Sequence, residues 1–417
     1  MVQFLAGAWA LLLGILLLML GNGMHGTLLG VRGEIEGFST TEMSYVMSAY
    51  FVGFLGGSKL TPEMIRRVGH VRVFAALASF ISACLILFPV VSNPWAWVAI
   101  RVVIGFCFSG VYVTAEGWLN NAASNETRGQ ALSFYMIVQM LGIIAAQGLL
   151  LLGDPSGFAL FVIPSVLVSI SFAPILLSVV PTPAFDQSKS MSFRNLWSLS
   201  PLGFVGIFLL GGMFAAQFGM AAVFGTEVGM SVREISMFVA AFYVGALVTQ
   251  FPIGWLSDRM DRRVLIMLVS CASVFGGFAG SIYIENFTAL LVSAFVLGGT
   301  VNPLYSLLLA HTHDFVEHDE MAGTSGSLLF VNGLGAIIGP IAIGWLMNRF
   351  GAVAYFGYMT ALMAVLAAYA AYRMVKRPAK SIEDTSSFAA LSPTSSPIAL
   401  EVAQIAADES MESDNER

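Results

Sequence analysis

Residues 37–53 read GFSTTEMSYVMSAYFVG, and 192 positions later residues 229–245 read GMSVREISMFVAAFYVG, with seven of the seventeen positions identical in register. Each copy lies between apolar runs long enough to cross a bilayer, so the repeat describes a membrane protein written as two similar halves. The register extends beyond the match. At an offset of 192 to 193, Gly105 meets Gly298, Tyr112 meets Tyr305, Gln139 meets Asn332 and Gly142 meets Gly335.

Hydrophobic residues make up 57% of the 417-residue chain and charged residues only 11%, too apolar a balance for a soluble domain of this length. A spanning helix needs about 20 mostly apolar residues. Counting such runs gives twelve: 4–30, 43–61, 71–90, 95–119, 130–153, 157–180, 201–226, 235–256, 263–284, 287–311, 322–347 and 353–375. The expected fold class is an all-α integral membrane protein whose twelve transmembrane helices form two pseudo-symmetric six-helix bundles. An even number of spans per half makes the repeat parallel, an arrangement found in transporters, whose substrate site lies where the halves meet near the bilayer midplane. The expected domains are an N-terminal bundle over 1–180, a polar linker over 181–200, a C-terminal bundle over 201–376 and an acidic tail over 377–417.

Lys and Arg accumulate in loops left on the cytoplasmic side of a membrane. Loops after even-numbered spans, with the segment after the twelfth, hold fourteen of them, whereas loops after odd-numbered spans hold only Arg32, Arg233 and Arg349. Both termini are therefore expected in the cytoplasm, in a cell inner or plasma membrane. The first span has no basic residue before it and reads as a retained helix rather than a cleaved leader. The net charge of −6 belongs to the tail, where residues 378–417 carry eight acidic and two basic groups and leave seventeen of each sign elsewhere. Rich in Ser, Pro and acid, that tail reads as disordered, and the charge balance gives no reason to expect a nucleic-acid partner. Cys84, Cys107 and Cys271 all fall inside spans, which implies neither a disulfide framework nor a zinc site.

Several motifs then carry a family resemblance over residues 1–376. Residues 254–263 read GWLSDRMDRR, similar to the loop signature GxxxDRxGRR of the major facilitator superfamily, with Asp261 at the second glycine. The equivalent in the first half, residues 62–71, reads PEMIRRVGHV, where Pro62 and Arg66 replace the glycine and aspartate while Arg67 and Gly69 are kept. Residues 101–105, RVVIG, resemble the family's fourth-helix RxxxG pattern. VYVTAEGWLNNAASNETRG from Val111, LAHTHDFVEHDEMAG from Leu309 and GLGAIIGP from Gly333 resemble the bacterial YcaD-like branch. The resemblance implies alternating-access transport of a small solute and assigns no cargo. Span five reads Ala146-Gln147 where span eleven reads Gly339-Pro340, so the helix-five Gly-Pro signature of many drug-exporting relatives is missing, which points away from multidrug export.

Arg101 stands seven residues inside Pro94, about 10 Å along a helix at about 1.5 Å per residue. An arginine at that depth faces a cavity or a partner, or snorkels outward. Gly105, Phe108, Tyr112 and Glu116 follow it at helical spacing, and its counterpart in the second half is Ala294, so the charge is present in one half only. His25 lies in the outward part of span one with Asn22 a turn away, and its second-half equivalent is Gln217. Histidine changes charge near physiological pH. The resemblance implies that helices one, four, seven and ten line a central cavity, where His25, Arg101, Gln217 and Asn302 could meet. Asn22, His25, Arg101, Tyr112, Gln217 and Asn302 are thus the candidates for substrate and proton coupling, with structural roles as the alternative for the histidine and the arginine. By the same resemblance, Asp258, Arg259, Arg262 and Arg263 latch helix ends as an inner gate, with Arg67 and Glu116 as first-half partners.

Residues 311–320, HTHDFVEHDE, hold His311, His313, Asp314, His318 and Asp319, all side chains that a transition metal accepts. The same run also suits the polar end of a helix, and that reading leaves no metal and no cofactor. No nucleophile elbow, phosphate-binding glycine loop or ATP-hydrolysing motif is present. The expectation is a monomeric, proton-coupled secondary transporter of a small molecule and not an enzyme. The alternatives are a non-transporting receptor or sensor on the same scaffold and a membrane metalloenzyme built on residues 311–319.

Overall fold

The computed structural model describes residues 2–122, 125–173, 191–317 and 320–376, with Phe388, Leu391 and Ser395, the side chains of 2–8, 120–122, 125–130 and 322 excepted. Residues 181–190 of the expected linker, His318 and Asp319, and the expected tail apart from those three residues lie outside the described set. The described chain is helical, without strands. Its helices are α1 Val2–Ile35, α2 Thr40–Val68, α3 His70–Leu87, α4 Pro94–Ala122, α5 Asn125–Leu149, α6 Ala159–Ser171, α7 Phe193–Leu199 and α8 Pro201–Ala215. They continue as α9 Ala221–Glu227, α10 Val232–Ser257, α11 Arg262–Ile282, α12 Phe287–His313, α13 Met321–Phe350 and α14 Ala354–Lys376. A π-helical turn, Ala216–Met220, joins α8 to α9. Among the described residues, ten helices are long and apolar enough to cross a membrane. The more polar α2 is outside the ten, and α6 is a shorter apolar helix. The chain is a multi-pass membrane protein.

The repeated stretch encodes a turn, a cap and a crossing. Gly37 and Gly229 sit at φ 76° and 73°, the left-handed region that glycine enters without strain. Two residues later Ser39 and Ser231 begin α2 and α10. The Ser39 hydroxyl accepts the Glu42 N–H at 3.2 Å while the Glu42 carboxylate accepts the Ser39 N–H at 2.8 Å. Ser231 and Glu234 repeat this capping box at 3.3 and 2.8 Å, each satisfying two otherwise orphaned backbone donors. At the far end of the repeat, a Cβ on Gly53 would strike the Val102 carbonyl, and one on Gly105 the Tyr50 carbonyl. Gly245 and Gly298 stand in the same relation to the carbonyls of Phe295 and Phe242. The α2–α4 and α10–α12 backbones therefore touch, which only small residues permit between membrane helices.

Packing follows the repeat. α1 lies on α5 and α6, α2 on α4, and α3 on α4 and α6. In the second half of the chain α8 lies on α13, α10 on α12, and α11 on α12 and α14. The two sets meet where α2 packs on α13, α5 on α10 and α1 on α9. At the turns preceding α2 and α10, the Thr40 hydroxyl donates to Glu227 at 2.9 Å and Gly30 abuts Ala222. Arg32 pairs with Glu36 at 2.6 Å and donates to the Pro155 carbonyl at 3.0 Å and to the Ser156 carbonyl. This end of the molecule is tied shut. The other end, with the turns after α2 and α10 and the start of α13, carries most of the basic residues and is called the basic face below.

Candidate functional site

A narrow cavity of about 30 Å³, room for little more than one water molecule, lies where the two sets of helices meet. Its polar walls are Asn22 from α1, Tyr112 from α4, Gln139 from α5, Tyr243 from α10 and Asn302 from α12, set among methionines of α1 and α5 and the rings of Phe214 and Phe218. No charged side chain lines it. Asn22 donates through Nδ2 to the Tyr112 hydroxyl at 3.2 Å, and that hydroxyl reaches Met19 Sδ at 3.5 Å. Asn302 donates to the Gly298 carbonyl of its own helix at 3.3 Å, and Asn22 also bonds the Tyr50 hydroxyl. Such a wall, mostly apolar with a few fixed amide and phenol groups, is the general make-up of a small-molecule site.

Of the six substrate and coupling candidates, Asn22, Tyr112 and Asn302 line the cavity. Gln217 is buried in the π-helical turn, and its Nε2 is unpaired. That turn presents Phe218, stacked on Phe214 with ring centroids 5.7 Å apart. The Tyr355 hydroxyl donates to the Ala216 carbonyl at the start of that turn at 3.1 Å.

His25 and Arg101 lie together outside the lining, towards the closed end. Arg101 is 1% exposed, its guanidinium 4.7 Å from the Tyr50 ring centre. Nη2 reaches Met47 Sδ at 3.7 Å, and Nε and Nη1 have no partner. His25 is fully buried against the Phe88 ring at 4.8 Å, with neither ring nitrogen bonded, and close enough to Arg101 to feel its charge. Tyr50 connects this pair to the cavity, since its ring centre is 5.8 Å from that of Phe218. Gly26, buried beside His25, has open space where a side chain would project. Ala294, at the place of Arg101 in the second half, is buried and apolar.

Tyr50 and Tyr243 were not among the sequence candidates, although the repeat contains their signal. Its aromatic pair reads Tyr50-Phe51 in one copy and Phe242-Tyr243 in the other, so the hydroxyl changes helix face between halves. Gln139 carried a signal only as the partner of Asn332 in the register.

At the basic face the gate candidates divide into separate pairs. Arg262 Nη1 meets Asp314 Oδ1 at 2.6 Å with both side chains buried, and Arg262 Nε donates to Ser257 at 3.1 Å. Asp258 is 3.8 Å from Arg262 and 37% exposed. Its Oδ1 accepts the Phe388 N–H at 2.9 Å, and burial pushes its carboxyl above the usual range despite that bond and the nearby arginines. Arg263 pairs with Asp261 at 2.8 Å, and Arg259 covers the Trp255 ring at 4.3 Å. Arg67 and Arg66 both bind Glu63 at 2.7 Å. Glu116 accepts the Tyr135 hydroxyl at 3.1 Å. In the 311–319 run, His313 Nε2 lies 2.9 Å from the Ser325 hydroxyl and His311 packs edge-on to Phe315. Among the described residues no three His, Cys, Asp or Glu side chains are grouped to hold a metal.

Comparison with known proteins agrees with this architecture. The family model described as Major Facilitator Superfamily matches residues 11–225 and 202–404. The MFS-type transporter YcaD of Escherichia coli is 30% identical over 346 residues, covering 82% of this chain and 88% of that protein. Among solved structures, a nucleoside transporter, NupG, superposes with a TM-score of 0.75 at 16% identity, over 87% of this chain and 98% of that one. A bacterial homolog of the human lysosomal transporter Spinster, inward-facing and unoccupied, gives 0.68 at 13% identity over 97% and 98% of the two chains. A D-xylose–proton symporter gives 0.66 at 14% identity, over 87% of this chain and 95% of that one. With matches over most of its length, the chain belongs to the Major Facilitator Superfamily and is a transporter rather than an enzyme.

Proposed function

We propose that the protein is a monomeric secondary transporter that carries a small solute by alternating access and couples the movement to protons. It sits in a cell inner or plasma membrane with both termini cytoplasmic. In this reading twelve helices form two six-helix halves, 1–180 and 201–376, that rock about the shared cavity. The observation that carries it is the cavity itself, walled by both halves and closed at one end by the Thr40–Glu227 and Gly30–Ala222 contacts. Asn22, Tyr112 and Asn302 hold the solute, Gln217 shapes the wall through its turn, and His25 carries the proton next to Arg101. Asp258, Arg259, Arg262 and Arg263, with Arg67 and Glu116, form the gate at the basic face.

The test is transport by purified protein in proteoliposomes. A panel of radiolabelled metabolites is screened for counterflow, and hits are re-measured with and without an imposed pH gradient. Counterflow of at least one solute, with accumulation that needs the gradient, is the expected result. Counterflow unaffected by the gradient removes the proton coupling, and binding without any flux would make the protein a receptor on a transporter scaffold.

A further inference from the structure

The interior of a membrane protein is a poor place for an unpaired ion, and buried polar atoms are as a rule bonded. Two neighbouring side chains break that rule together. Arg101 Nε and Nη1 and both ring nitrogens of His25 are buried without a protein partner, while Asn22 and the Tyr50 hydroxyl beside them bond to each other and to Tyr112. Arg101 carries a full charge, and its Tyr50 and Met47 contacts supply a ring face and a thioether, neither of which neutralises it.

No carboxylate described on the neighbouring helices is placed to do so. Glu116 is fifteen residues further along α4, about 22 Å at about 1.5 Å per residue, and binds Tyr135. At the closed end, Glu36 is held by Arg32, Glu42 by Ser39 and Glu227 by Thr40. Among the described residues, then, the counter-charge of Arg101 is missing. Gly26, next to His25, has open space where a side chain would project, and Asn22, one helical turn along α1, lines the cavity.

Resting on the transporter reading above, we propose that Arg101, His25, Asn22 and Tyr50 bind the charged head of a small organic monoanion whose apolar body lies against the methionine and phenylalanine walls. One uncompensated cation calls for one negative charge. The free N–H groups of Arg101 donate to the anion, and His25 with the polar ends of Asn22 and Tyr50 completes its shell. The walls at Met19, Met136, Phe214 and Phe218 suit an aliphatic or aromatic body.

Binding is measured on purified, detergent-solubilised protein, which separates it from transport. Melting temperature is followed against acetate, hexanoate and benzoate, each beside its neutral amide, and against chloride. Hexanoate or benzoate should raise the melting temperature in a concentration-dependent way, with the amides inert and acetate weaker. Arg101→Gln should weaken that binding by roughly 10- to 100-fold, the range expected for a lost hydrogen bond to a charged group. Arg101→Lys, which keeps the charge, should retain part of it. The ligand-free Arg101→Gln protein should melt no lower than wild type, because an unpaired charge has been removed. Amides protecting as well as the acids, protection unchanged in Arg101→Gln, or no protection by any carboxylate would each overturn the proposal. Chloride protecting as strongly as hexanoate or benzoate would overturn the organic part of it. Carboxylate binding through Arg101 without flux in proteoliposomes would leave this site standing and remove the transport reading, whereas flux of a neutral solute with no carboxylate binding would do the reverse.

Discussion

Arg101 and His25 are buried close together and neither has a counter-ion among the described residues, so with Arg101 permanently charged the protonation of His25 depends on what else is bound there. Coupling of two binding events is reciprocal: a solute that alters proton occupancy of His25 has its own affinity altered by the same factor. Arg101→Ala should nearly abolish proton-driven accumulation, whereas His25→Gln should flatten its pH dependence and keep exchange, both read in proteoliposomes across a pH series. Unaltered accumulation and pH profile in both variants would leave the two residues structural. A second residue-scale prediction concerns the basic face. The Arg262–Asp314 pair is buried, and removing one partner of a buried pair costs about 3–5 kcal/mol. Asp258 is partly exposed at a longer distance, where such pairs contribute about 0–1 kcal/mol. Its carboxyl is raised by burial, so its contribution to stability is greatest below the ordinary carboxylate range and is lost as pH rises through the raised value. At neutral pH, Asp314→Asn should therefore lower the melting temperature well beyond Asp258→Asn. The DRMDRR run directs attention to Asp258, whereas HTHDF offered Asp314 only as a possible metal ligand, because its partner Arg262 lies 52 positions away.

Helix starts and crossings were the most legible elements, because they are local. Ser39 with Glu42, Ser231 with Glu234, and the glycines that close each copy of the repeat act within a few residues or at one contact, and both halves repeat them. The π-helical turn at Ala216–Met220 was not legible. Nothing in AAQFGM distinguishes it from ordinary helix, and the side-chain bond to its Ala216 carbonyl comes from Tyr355, 139 residues away. The turn matters because it aims Phe218 at the cavity and towards Tyr50. Tyr355→Phe removes one hydrogen bond, about 1 kcal/mol, and should leave the protein folded. The turn should then relax towards regular helix and rotate Phe218, changing apparent solute affinity several-fold with little change in melting temperature. Equal affinity in the variant would show that the turn is held by packing alone.

For the molecule as a whole, a helical multi-pass membrane protein could be read from the apolar runs, although ten described helices rather than twelve are long and apolar enough to cross, whereas what occupies the basic-face end of the interface could not. Composition alone makes residues 377–417 dispensable, since a Ser-rich acidic segment buries no core of its own. Contacts with another part of the chain are a different matter. Phe388 lies over Gly254 and donates its N–H to Asp258 at 2.9 Å. The Leu391 N–H donates to the Ser306 hydroxyl at 2.9 Å, and Leu391 is 3% exposed. Ser306 is bonded by Gln250 at 3.2 Å and lies four residues beyond Asn302, about 6 Å along α12 from the cavity wall. A leucine seated there is buried one turn of α12 nearer the basic face than the cavity wall. Truncation after Lys380 should leave the melting temperature nearly unchanged, because these contacts stabilise little of the helical core. It should nonetheless speed the reaction of an Asn302→Cys thiol with a membrane-impermeant maleimide applied at the basic face. Phe388→Ala with Leu391→Ala in the full-length chain should speed it in the same way. If both proteins react at the full-length rate, the three tail residues rest on the surface without covering the path, and the cavity's access is set by the helices alone.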